Sequence, residues 1–128
     1  MTTIKKVLVV DDDSDIRELI KILLEAEGYA VNIAADGFDA LQQLRSDSPP
    51  ALIILDLMMP RLDGEEFIKR VREGRSSDIP ILVISGHNAA QKAAHELHAS
   101  CLMKPVEADE LLEAVQRLTV AESRMDAA

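Results

Sequence analysis

The chain has 128 residues and a formal charge of −9, from 23 acidic against 14 basic side chains. That surplus disfavours contact with phosphate backbones and anionic lipid, so neither direct nucleic-acid binding nor membrane binding is expected. The length suits one domain, and with 48% hydrophobic but only 2% aromatic residues its core must be aliphatic.

A single cysteine, Cys101, cannot form an intramolecular disulfide, and no charged start precedes a long apolar region. No apolar run approaches the ~20 residues of a membrane span. These features predict a cytoplasmic protein.

Residues 4–10 are a β-branched run that stops at Asp11-Asp12-Asp13, a first strand ending in acids. From Ser14, the residues Ile16, Leu19, Ile20, Leu23 and Leu24 recur at helical spacing, with Ser14 or Asp13 as N-cap and Gly28 as the stop. Tyr29 to Ala34 reads as a short strand, Asp36-Gly37 as a turn, and Phe38, Leu41 and Leu44 as a helix that must end before Pro49-Pro50. Ala51 to Leu55 fits a strand buried on both faces, which gives out at Asp56 and a loop holding Pro60 and Gly64.

Asp63 or Gly64 opens a helix with Phe67, Ile68 and Val71 on one face and Lys69, Arg70 and Arg72 elsewhere. Ile81 to Ile84 is another buried run, ending at Ser85-Gly86. Residues 89–98 are Ala-rich and helical with a thin apolar face. Ser100 to Met103 form a last strand before Lys104-Pro105, and Glu107 to Val120 the final helix. One domain is predicted over residues 1–121, with 122–128 a frayed, disordered tail. Five strands alternating with five helices predict a parallel sheet covered on both sides.

Four of the strands end in polar, reactive groups: Asp11-Asp12, Asp56, Ser85 and Lys104. Taken singly, each has a plain structural explanation as helix cap, turn residue or solvated charge. In a doubly wound sheet of order 2-1-3-4-5 they would converge on one rim, at the carboxyl ends of the strands. Three converging carboxylates call for a divalent cation, and oxygen ligands in an open site suit Mg²⁺. With the lysine and the hydroxyl, such a rim could hold phosphoryl oxygens while Asp56 attacks phosphorus to form an aspartyl phosphate.

The motifs Val7-Leu8-Val9-Val10-Asp11-Asp12-Asp13, Asp56-Leu57-Met58-Met59-Pro60-Arg61-Leu62-Asp63-Gly64, Ile84-Ser85-Gly86 and Lys104-Pro105, in this order and spacing, closely resemble the receiver domain of two-component response regulators. The resemblance runs from about residue 4 to about residue 118 and implies a flavodoxin-like doubly wound five-stranded sheet, order 2-1-3-4-5. It further implies that Asp56 takes a phosphoryl group from the phosphohistidine of a sensor histidine kinase or histidine phosphotransfer protein. Asp11, Asp12, Asp56 and the backbone carbonyl of Met58 would hold Mg²⁺, Ser85 and Lys104 would meet the phosphoryl oxygens, and Asp13 would belong to the helix cap. The Lys104-Pro105 bond is often cis in this family, which aims the lysine inward. Such a domain is a regulatory phosphoacceptor rather than an enzyme, acting on a downstream protein whose identity is open.

The departures from the family pattern are individual to this chain. Cys101 stands where Tyr or Phe is usual, which puts the aromatic part of the switch in doubt; a small buried strand residue is the simplest reading of it. His98 stands where Gly is common, suggesting a differently shaped approach to the last strand. Met58 and His87 would flank the phosphoryl group and tune its hydrolysis. The three histidines lack metal-ligand spacing. The signalling face is expected over residues 89–118, where the Ala-rich helix also suits a homodimer contact. A haloacid dehalogenase-type phosphatase is the alternative, but it needs a second Asp where Met58 stands. A flavin binder would need a phosphate loop absent after the first strand.

Overall fold

The computed structural model describes residues 4–45, 49–56, 64–74, 78–86, 94–96 and 98–127. In chain order these form β1 (Lys6–Val10), α1 (Ser14–Ala26), β2 (Ala30–Ala34), α2 (Gly37–Gln43), β3 (Leu52–Asp56), α3 (Gly64–Glu73), β4 (Ile81–Ser85), a helical stretch at residues 94–96 termed α4, β5 (Ser100–Met103) and α5 (Ala108–Ala127). The strands make one parallel sheet in the order β2-β1-β3-β4-β5, the predicted doubly wound arrangement.

Strand alternation divides the core in two. Leu8, Val10, Ile53, Leu55 and Val83 face one side with Phe67, Ile68 and Val71 of α3; Val7, Val9, Leu52, Ile54 and Leu82 face the other, with Ile20 and Leu24 of α1 and Leu111 and Val115 of α5. Every residue of β3 and β4 is buried, as expected of central strands covered on both faces. In β5, at the sheet edge, all four residues are half-buried.

Both ends of α1 follow the sequence. Asp13 is its N-cap, accepting from the N–H of Asp15 at 2.9 Å and of Ile16 at 3.3 Å. At the other end Gly28 adopts φ +94°; its N–H donates to Glu25 O and that of Tyr29 to Leu24 O, a Schellman closure that needs a left-handed residue at that place. The same pair of bonds closes α4: His98 N–H donates to His95 O and Ala99 N–H to Ala94 O, with His98 at φ +59°. The approach to β5 therefore keeps the backbone shape a Gly would give, with His98 carrying the strain.

Three expectations change. Asp36-Gly37 is not a free-standing turn: Asp36 caps α2, accepting from Asp39 N–H at 2.9 Å, and Gly37 is the first helical residue. Of the apolar stripe on α1, Ile16 and Leu19 stay 37% and 57% exposed, because the sheet covers only the Ile20 and Leu24 side. Finally, α5 continues to Ala127, past the Val120 predicted as its end, so backbone expected as frayed tail is helical; residues 121–127 hold no Gly or Pro to stop it.

Candidate functional site

Backbone register brings the reactive groups together. Val10 pairs with Leu55, Asp56 with Ile84, and Ser85 with Met103, so Asp11, Asp56, Ser85 and Lys104 leave the sheet at one level along its carboxyl edge. Asp56 is the last residue of β3 rather than the first beyond it, because its backbone still pairs with β4. The Lys104 N–H donates to Ser85 O at 2.8 Å, which carries the β4–β5 ladder up to the site. The Lys104-Pro105 bond is cis, and Lys104 Nζ lies 3.6 Å from Asp56 Oδ2.

Carboxylate oxygens of Asp11, Asp12 and Asp56 all fall within 4.8 Å of one another. Asp11 and Asp56 are buried while Asp12 is exposed. Burial pushes the Asp11 carboxyl from its ordinary 3.8 up to about 6; the Asp13 N–H opposes this, the charge of Asp56 adds to it, Lys104 opposes it and Asp12 adds again. Three hard oxygen donors gathered at a partly open rim, one of them destabilised as an anion, suit a hard divalent cation.

Asp13 is committed to the cap of α1, outside the acidic trio. Ser85, the last residue of β4, is fully buried. Met58 and His87 lie outside the described residues. Cys101 is half-buried against the core on the α3 side, and burial raises its thiol pKa, which favours the unreactive protonated form.

Two arginines were not singled out by the sequence pattern. Arg17 Nη1 donates to Asp11 O at 2.8 Å. Arg72, read only as lying off the apolar face of α3, donates from Nη1 to Ile79 O at 2.7 Å and from Nη2 to His98 O at 2.9 Å, tying α3 to the start of β4 and to the α4–β5 turn. For Arg17 the available signal is its place four residues after the capping Asp13; a carbonyl target leaves no mark in the residue types.

Beside Lys104 an apolar groove of about 640 Å³ opens between α1 and the β5–α5 connection, lined by Ile16, Leu19, Leu23, Val106 and Leu111. Among the described residues no helix is long and apolar enough to cross a membrane.

The family model for the response regulator receiver domain matches residues 7–116. The response regulator MprA of Mycobacterium tuberculosis is 40% identical over 126 residues, a match that takes in 96% of this chain and 54% of MprA; the chain spans about half the length of the curated relatives it matches. Among solved structures, the chemotaxis protein CheY4 of Vibrio cholerae superposes with a TM-score of 0.83 at 33% identity, covering 91% of this chain and 99% of that one. A CheY-like receiver domain protein of Methanospirillum hungatei gives 0.88 at 26% identity, covering 96% and 99%. The chain therefore belongs to the response regulator receiver domains of two-component signalling.

Proposed function

We propose that this domain accepts a phosphoryl group on Asp56 and uses the modification to switch a protein-binding face. The observation that carries the reading is the juxtaposition of Asp56 with a cation, Lys104, at 3.6 Å and with two further carboxylates within 4.8 Å. The donor is a phosphohistidine on a sensor histidine kinase or histidine phosphotransfer protein. A carboxylate oxygen of Asp56 attacks phosphorus, the bond from phosphorus to the donor's imidazole nitrogen breaks, and the imidazole leaves with the electron pair. Lys104 neutralises charge on the phosphoryl oxygens and the Ser85 hydroxyl donates to one of them. Asp11, Asp12, Asp56 and the Met58 carbonyl would hold Mg²⁺, which when bound offsets the negative charge gathered on the transferring group. The groove beside Lys104 offers the donor an apolar surface to dock on.

Phosphorylation then acts by stabilising a conformation in which Ser85 and the loop after it close on the phosphate. The signal leaves through residues 89–118, which include the half-buried β5, toward a downstream protein or a second copy of the chain. The signalling unit is residues 1–121, acting in the cytoplasm, with 122–128 an extension outside it. A phosphatase of the haloacid dehalogenase type is not carried further, because the family is regulatory.

Incubation with acetyl phosphate and Mg²⁺ should add one phosphoryl group by intact mass, and Asp56→Asn or EDTA should abolish it. Persistence of the adduct in Asp56→Asn would overturn the assignment.

A further inference from the structure

Asp11 is tied down on every side. Its N–H donates to Ala34 O at 3.2 Å, its carboxylate Oδ1 accepts from Asp13 N–H at 2.9 Å, and its carbonyl accepts from Arg17 Nη1 at 2.8 Å. The last bond acts on more than Asp11. A peptide carbonyl shares a rigid plane with the next residue's nitrogen and Cα, so fixing Asp11 O fixes where the Asp12 main chain goes. Asp12 is exposed, and packing contributes little to placing it. Arg17 is itself anchored, since its own N–H closes the first turn of α1 on Asp13 O at 3.0 Å. Helix and guanidinium thus bracket the three-residue connection between β1 and α1 that carries two of the three clustered acids.

We infer that Arg17 is a positioning residue for the divalent cation: by gripping the Asp11 carbonyl it holds the Asp11–Asp12 peptide so that both carboxylates meet Asp56 at cation-binding distance. The inference rests on the phosphoacceptor reading above. Arg17 touches neither the phosphoryl group nor the acids' side-chain oxygens in this scheme, so its effect should fall on cation affinity and not on the transfer step. Outer groups that orient ligands typically change metal affinity by about 10- to 100-fold.

The test uses the full chain as wild type, Arg17→Met and Arg17→Lys. Mg²⁺ binding is followed by calorimetry and by amide shifts of Asp11, Asp12 and Asp56, with urea unfolding as a check on folding. Arg17→Met should weaken Mg²⁺ by about 10-fold, and Arg17→Lys, which keeps one cationic donor, should fall between it and wild type. With acetyl phosphate, the Mg²⁺ concentration for half-maximal labelling of Asp56 should rise by the same factor while the plateau rate returns to that of wild type. A merely structural role would lower the urea midpoint and leave the half-saturation point alone. Half-saturation within about twofold of wild type in folded Arg17→Met overturns the inference, as does a depressed plateau at unchanged half-saturation. If Arg17→Met does not fold, Arg17→Lys decides by the same criterion. A wild-type chain that binds no Mg²⁺ overturns the phosphoacceptor reading and this inference with it; wild-type binding matched by both variants overturns this inference alone.

Discussion

Replacing Asp11 by Asn should stabilise the metal-free domain at neutral pH. The residue is 5% exposed, and burial, with Asp56 and Asp12 adding to it, lifts its carboxyl from 3.8 to about 6 against the opposing Asp13 N–H and Lys104. A carboxyl that titrates near 6 when folded and near 4 when unfolded binds its proton more tightly in the native state. Its favourable contribution is therefore fully present below the unfolded value and lost as pH rises through the folded one. Unscreened, the loss would be about 3 kcal/mol; the rim is open at Asp12, and solvent and salt should reduce it to about 1–2 kcal/mol. Asn has nearly the same shape and keeps an oxygen to accept from Asp13 N–H, now 2.9 Å away, while removing the charge. Urea unfolding in EDTA, from about pH 5 to pH 8, should show the gap between variant and wild type growing through pH 6, with the variant ahead by ~1–2 kcal/mol above pH 7. Adding Mg²⁺ should close the gap by stabilising wild type alone. A variant less stable than wild type above pH 7 in EDTA, or a gap that does not change with pH, would refute the reasoning.

His98→Gly should raise stability by about 0.5–1 kcal/mol, since the left-handed φ of 59° strains any side chain and Gly pays only part of that back in unfolded-state entropy; a lowered urea midpoint would contradict it. Arg72→Met should lose about 2 kcal/mol, because the carbonyls of Ile79 and His98 lose a cationic donor; an unchanged midpoint would show that bracket to be idle. Substituting Met58 and His87 together should change the rate at which phospho-Asp56 hydrolyses, followed by intact mass over time, and an unaltered rate would remove them from the site.

The sheet was legible because its central strands are apolar without interruption: Leu52 to Leu55 and Ile81 to Ile84 have few other places to go in a chain of this length. Side-chain character ends one residue before backbone pairing does, which is why Asp56 reads as loop and is strand. Helical spacing on α1 groups Ile16 and Leu19 with Ile20 and Leu24, and periodicity cannot tell which edge of a wide stripe the sheet will cover. Arg17 and Arg72 were hidden for another reason. Both donate to main-chain carbonyls, and a carbonyl is the same at every residue, so no pairing of residue types announces it. His98 was misleading in the opposite sense, a side chain in a backbone role that sequence assigns to Gly.

The site residues do not all stand on equally firm ground, and that asymmetry has a use. Asp56 and Ser85 end the fully buried strands β3 and β4, and Asp11 follows a run from Val7 to Val10 that is at most 2% exposed. Asp56, Ser85 and Asp11 thus sit on the part of the sheet with the most packing to lose by moving. Lys104 follows β5, an edge strand whose residues are all half-buried, next to a turn held by the strained His98 and the Arg72 bond to its carbonyl. Local opening draws on the segments with the least buried contact. New charge on Asp56 should therefore leave the acidic end of the site where it is and be accommodated on the β5 side, so the proposed switch would need no rearrangement of the acids.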